Sequence, residues 1–271
     1  MGVVGSTPGS MNTTLVINRK GGAGKTTVSI NLASYFASNN IATTIMDYDP
    51  QGSSLNWLKS RPSNLAKIHG SNAAPERFGT LRSFGMLVPP ETRQLIIDAP
   101  AGIAGVHLQQ MLRRANSILI PVTPSTIDTH ATANFIKDLL LSGIIRTCNI
   151  RMAVVANRVR RSMPVYQPLE RFLNALKLNL VGRLLDSDAF VRAAETGVGI
   201  FEMDARVSSA ECSQFSPIAE WVSGRAEHQD APARSIYAVG GSSFTPSASS
   251  DPPKRMTDSP NRFQGPSLLR R

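Results

Sequence analysis

The sequence predicts an α/β fold: a doubly wound, mostly parallel sheet with helices on both faces. Three observations predict it. Short apolar runs alternate with helix-period segments from residue 14 to about residue 224. Most of these runs are continuous rather than alternating, as in parallel strands buried on both faces. The first run also leads through a glycine-rich loop into a helical pattern, the order that turns a phosphate-loop match into a mechanism.

Strand-like runs fall at 15–18, 41–47, 95–98, 117–121, 152–157 and 180–184. Helices are expected near 26–38, 104–114, 129–142, 165–177, 188–196 and 213–223. In the first of these, Val28, Leu32 and Tyr35 share one helical face. Pro62, Pro75, Pro89 and Pro90 punctuate the stretch 59–93, where one short helix at 76–84 is expected. The organisation read from these patterns is a flexible leader (1–11), a folded α/β domain (12–224) and a disordered tail (225–271) rich in Ser, Pro, Gly and Arg.

The 271 residues are 41% apolar, enough for a sizeable core. Cys148 and Cys212 lie far apart and form no metal-spaced pair or disulfide framework, so a reducing cytoplasm is expected. No run approaches the length of a membrane span, and residues 1–10 lack the layout of a signal peptide. The net charge is +10, of which residues 231–271 contribute +4. That balance favours polyanions, either nucleic acid or an acidic membrane face.

The segment Lys20-Gly21-Gly22-Ala23-Gly24-Lys25-Thr26-Thr27 follows the first strand. Glycines let backbone N–H groups converge on phosphate oxygens, and the helix N-terminus adds its partial positive charge. Lys25 is placed to neutralise the β- and γ-phosphates, and the Thr26 hydroxyl to ligate Mg²⁺. The loop departs from the general pattern: Arg19 stands where a glycine is usual, and Lys20 opens the loop. The second strand ends in Asp47-Tyr48-Asp49-Pro50-Gln51-Gly52. Its two carboxylates share one face and can orient water and Mg²⁺. A later apolar strand ends in Asp98, the Walker B arrangement, which holds Mg²⁺ through water.

These segments, in this order, resemble the ParA/MinD family of deviant Walker-type ATPases, closest to its small partition and positioning members. The resemblance spans about residues 12–224 and is poor over 59–93. It implies that Lys20 reaches across a homodimer to the partner's nucleotide. It implies that Asp49 positions the attacking water, with Asp47 in support, and that Ala99-Pro100-Ala101-Gly102 forms the second switch. The segment from Ile120 to Ser125, with Asp128, resembles a structural or dimer-contact loop. Asn157, at the end of another strand, is implied to hydrogen-bond adenine. Phe190 to Glu195 with Gly197 resembles the helix and loop near the base and the dimer edge.

The function implied is a slow, partner-stimulated ATPase with ATP and Mg²⁺ as cofactors. Its ATP-state dimer binds nucleoid DNA non-specifically in the cytoplasm and positions a plasmid, chromosome or protein compartment through a ParB-like or cargo adaptor. Basic residues of the C-terminal part are implied to touch DNA phosphates: Arg158, Arg160 and Arg161, with Arg151 nearby, then Lys177, Arg183, Arg192 and Arg206. Two alternatives share the scaffold. A MinD-like membrane switch wants a C-terminal amphipathic helix, which Gly265-Pro266 interrupts. A metabolic enzyme, of the dethiobiotin synthetase or nitrogenase iron protein kind, wants substrate or cluster residues that the motifs do not supply.

Overall fold

The computed structural model describes residues 11–74, 87–160, 171, 173–176 and 178–224. The leader up to residue 10, the helix expected at 76–84, most of that at 165–177, Arg161, Lys177 and the tail 225–271 lie outside the described residues. The chain divides into Met1–Asp230, which carries the fold, and Ala231–Arg271.

The described strands are β1 (Asn12–Val16), β2 (Thr43–Asp47), β3 (Ile68–Asn72), β4 (Gln94–Asp98), β5 (Ser117–Val122), β6 (Arg151–Val159) and β7 (Asn179–Leu185). They pair in the order β3-β2-β4-β1-β5-β6-β7, every pair parallel. The described helices are α1 (Lys25–Ser38), α2 (Ser53–Lys59), α3 (Gly105–Leu112), α4 (Thr126–Leu141), α5 (Ile144–Thr147), α6 (Asp188–Thr196) and α7 (Ala205–Val222), with a 3₁₀ turn at Ile200–Glu202.

Side chains of one strand alternate between two cores. Val16, Ile96, Leu119 and Val155 join Phe36, Trp57, Phe215 and Trp221 under α1, α2, α6 and α7. Leu15, Ile17, Leu95, Ile97, Ile118 and Val154 join Met111, Phe135 and Ile136 under α3 and α4. Burial on both faces is why these strands read as unbroken apolar runs. The next strand, β2, lies on one side of β1 and the later β5 on the other, so the loop after β1 leaves at the point where strand order diverges. Ligands of open α/β sheets bind there.

Four described elements went unread in the sequence: α5, the 3₁₀ turn at Ile200–Glu202, and two that bear on the site. The edge strand β3 (Ile68-His69-Gly70-Ser71-Asn72) carries one large apolar residue, too few for a periodicity. Helix α2 is only seven residues long, and its N-cap residue, Gly52, is left-handed with no capping side chain of its own. The last helix, expected from 213, starts at Ala205 behind an Asp204 cap that accepts from the Arg206 N–H. Ser208 and Ser209 interrupt the apolar pattern of that first half. The spacing-based grouping of Arg151 with Arg158 is corrected. Arg151 opens β6, at the far end of the strand, and donates to the Trp221 and Val222 carbonyls at 2.9 and 3.1 Å. Its guanidinium also lies 4.8 Å from the Trp221 ring centre, so it anchors α7.

Candidate phosphate and metal site

Two buried carboxamides hold the glycine loop. Asn18 donates to the Pro121 carbonyl (2.8 Å) and to Thr132 Oγ1 (3.0 Å), while its Oδ1 accepts from the Lys20 N–H (3.0 Å). Asn157, near the end of β6, donates to the Ala23 carbonyl at 3.0 Å. Gly24 has φ of 94°, and a Cβ there would sit 1.9 Å from Asn157 Nδ2, so the position accepts only glycine. Gly21 and Gly22 are exposed, Ala23 is buried, and Gly24, Thr26 and Thr27 are half-buried. No side chain caps α1, and its first turn carries no acidic residue. The N–H groups there suit an anion.

The strand ends bring the acidic groups level with this loop. In register, Asp47 of β2 and Val16 of β1 both pair with Asp98 of β4. Both carboxylates are buried, and they are used differently. Asp47 Oδ2 accepts from Ser54 Oγ (2.7 Å) and from the N–H groups of Ser54 (3.1 Å) and Leu55 (3.3 Å), capping α2. Its Oδ1 accepts from the Asp49 N–H at 2.9 Å. Asp98 receives one bond, from Thr26 Oγ1 at 2.8 Å, and its Oδ1 is buried without a hydrogen-bond partner. Burial pushes its pKa up to about 7; Asp47 adds to that, and the Thr26 hydroxyl and the Lys25 ammonium oppose it. An orphaned carboxylate oxygen beside a threonine hydroxyl is the donor set of a hard cation.

Lys25 is buried and donates to the Lys20 carbonyl at 3.4 Å. Burial draws its pKa down, against the pull of Asp98 and then Asp49. Asp49 is half-buried, and its Oδ1 accepts from the Gln51 N–H at 3.0 Å. Loop 99–102 is tied to the glycine loop by Ala99 N–H on Val16 O (3.1 Å) and Gly102 N–H on Arg19 O (3.0 Å). Lys20 stands apart. Its ammonium pairs at 3.2 Å with Asp128, in the first turn of α4. Nearby on that turn Ile127 is 76% exposed.

The structure thus brings together Lys25, Thr26, Asp98 and Asp49, and puts Lys20 at the rim of the loop. Asn157 meets the loop backbone through the amide that was expected to read a base. Of the basic residues, Arg160 faces Asp186 at 3.7 Å and Arg206 faces Asp204 at 2.8 Å, both on the surface. Arg158, Arg183 and Arg192 are exposed. Sequence reasoning missed Asn18 and Ser54. A buried-type asparagine closing an apolar run just before a glycine loop was the available signal for the first. Nothing local marks the second.

The family profile of the CobQ/CobB/MinD/ParA nucleotide binding domain matches residues 14–200. The chain belongs to that family. Two relatives are named "Maintenance of carboxysome distribution protein A". That of Halothiobacillus neapolitanus is 25% identical over 203 residues, covering 73% of this chain and 90% of the relative. That of Gloeobacter kilaueensis is 28% identical over 216 residues, covering 76% and 91%. Among solved structures, a Cyanothece McdA variant in complex with ATP superposes with a TM-score of 0.61 at 15% identity, over 80% of this chain and 97% of that one. The seven-stranded parallel sheet is therefore the ParA/MinD fold.

In this ParA/MinD-type chain, Asp98 weakens the fold that holds it. A carboxyl whose pKa rises on folding binds its proton more tightly in the fold than in the unfolded chain. Its contribution is full in acid and is lost as pH climbs from the ordinary 3.8 to about 7. Asp98→Asn removes that loss, so nucleotide-free variant should melt about 3 °C or more above the wild type at pH 8. At pH 5, part way through that window, the gap should be smaller, and it should close as pH falls below the ordinary 3.8. Scanning calorimetry at both pH values checks this.

Proposed function

We propose that the protein is a positioning ATPase of the McdA and ParA kind: an ATP-dependent dimerising switch that binds DNA non-specifically in the cytoplasm and places a cargo through an adaptor protein. One observation carries this reading: the Thr26–Asp98 contact, with an unsatisfied carboxylate oxygen beside it, set next to Lys25 and Asp49 at the mouth of the glycine loop. The matches to carboxysome distribution proteins support the positioning role and favour a protein compartment as cargo.

The residues divide the work as follows. Backbone N–H groups from Gly21 to Thr27 cradle the α- and β-phosphates. Lys25 lies against the β- and γ-phosphates; a partly desolvated ammonium interacts with them more strongly than an exposed one. Thr26 Oγ1 and Asp98, the latter through water, would hold Mg²⁺, which would supply positive charge to offset that of the phosphates. Asp49 orients the attacking water. Asn157 lines the base side of the loop. In the single chain Lys20 is held by Asp128, and in the ATP dimer it turns to the partner's nucleotide.

Asp49→Ala should bind ATP as the wild type does and lose at least about 90% of single-turnover hydrolysis, trapping the ATP state. Undiminished hydrolysis removes the assignment. In that trapped background, adding Lys20→Ala should abolish the ATP-dependent doubling of mass in light scattering while leaving monomer nucleotide affinity within about threefold. Full dimerisation of the double variant contradicts the role in trans.

The trapped dimer should bind duplex DNA of any sequence, with affinity falling steeply as salt rises, because contacts to phosphate release counterions. The +4 of residues 231–271 can bind DNA without a switch, so the same titration is made on a chain ending at Gly224. If that shorter chain with ATP shows no salt-sensitive binding, the nucleotide domain is not the DNA-binding element.

A further inference from the structure

Helix α2 is suspended between two buried polar anchors. Its N-terminal N–H groups end on Asp47, which also holds the Asp49 N–H. Near its other end the Trp57 indole N–H is shared between the Ala193 and Val198 carbonyls, each at 3.2 Å. Just past the helix, the side chains of Arg61 and Glu202 are 6% and 4% exposed and form a two-pronged ion pair. All five guanidinium N–H groups are used. Nε and one Nη2 hydrogen reach the Ala66 carbonyl (3.1 and 2.9 Å), Nη1 reaches the Gly197 carbonyl (3.3 Å), and the remaining two reach Glu202.

Glu202 in turn accepts from the Gly199 N–H at 2.8 Å and from Ser38 Oγ, at the end of α1, at 3.0 Å. The guanidinium lies 5.4 Å from the Trp57 ring centre. Gly197 makes the approach possible: its φ is 71°, and a Cβ there would lie 2.4 Å from the Arg61 nitrogen. The loop after α6 therefore closes directly on the end of α2.

A buried ion pair is weak evidence of net stabilisation, because packed apolar side chains often do as well. A pair with every donor satisfied does define one geometry. Here it fixes the end of α2 relative to α1 and α6. The helix is about 10 Å long, so tilting one end displaces the other. The displaced end holds Asp47, and Asp47 holds Asp49.

We propose that Arg61, Glu202 and Trp57 are positioning residues for Asp49, setting through α2 the place of the hydrolytic carboxylate. The proposal rests on Asp49 being that carboxylate. None of the three touches the glycine loop, so they act on hydrolysis and not on nucleotide binding.

The test uses the full chain with Trp57→Phe, which keeps one aromatic ring and removes the pyrrole half of the indole with its N–H, and with Glu202→Gln. Single-turnover hydrolysis per bound nucleotide is measured beside the affinity for a fluorescent ATP analogue. The expected result is hydrolysis down about tenfold for Glu202→Gln and about threefold for Trp57→Phe, affinity within about twofold, and faster hydrogen–deuterium exchange over residues 49–58. A merely structural role lowers the melting temperature and leaves hydrolysis per bound nucleotide unchanged, and that result overturns the proposal. If Glu202→Gln does not fold, Trp57→Phe decides. Wild-type and Asp49→Ala controls separate the two readings. Normal hydrolysis by Asp49→Ala removes both. Hydrolysis lost in Asp49→Ala but kept in Trp57→Phe and Glu202→Gln removes the positioning role alone.

Discussion

Two buried carboxylates lie side by side at the carboxyl ends of adjacent strands, Asp47 on β2 and Asp98 on β4. Like charges in that geometry repel, and the low dielectric around them magnifies the repulsion. The molecule resolves the conflict by giving the two groups different partners. Asp47 receives four hydrogen bonds from the start of α2 and from Asp49. Those bonds commit it to structure. Asp98 receives one from Thr26, keeps an unsatisfied oxygen, and holds its proton up to about pH 7.

Much of the site follows from that division. The capping of α2 by a strand residue brings the Asp49 turn against the sheet. The Thr26 hydroxyl, drawn to Asp98, fixes the first turn of α1 and so the direction of the glycine loop. Asn18 and Asn157 hold the same loop from β5, α4 and β6 through backbone and hydroxyl contacts that leave its outer glycines exposed. A site with a poorly satisfied carboxylate and a desolvated lysine gives up stability in the nucleotide-free protein. On the proposed reading, an ion and phosphates would restore it, as suits a switch whose states differ by bound nucleotide.

What the sequence made readable follows physical lines. The interior strands declared themselves because burial on both faces leaves no polar positions. The loop residues declared themselves because phosphate binding demands glycines, a lysine and a hydroxyl at fixed offsets. Edge strand β3 did not, since one buried face and Ile68 alone leave no pattern. Helix α2 did not, because its cap arrives from Asp47 rather than from its own first residues. Asp47 was read as supporting Asp49; it holds the Asp49 N–H and also caps α2, and that second role went unread. Arg151 looked like one of several surface cations and instead packs on Trp221. Arg151 and Trp221 lie 70 residues apart, beyond the reach of spacing, and the Asp47 contacts to Ser54 and Leu55 cross a turn that neither strand nor helix period describes.

Burial and a single hydroxyl contact leave the Asp98 carboxylate short of partners in the nucleotide-free protein and raise its pKa to about 7. Carbon-detected NMR titration of ¹³Cγ-aspartate-labelled protein without nucleotide measures this directly, with Asp98→Asn assigning the resonance. The account predicts an Asp98 midpoint near 7, and an Asp98 that stays ionised to well below that once Mg²⁺ and ATP are added. An Asp98 that titrates at the ordinary 3.8 in the nucleotide-free protein, unmoved by Mg²⁺ and ATP, would contradict it.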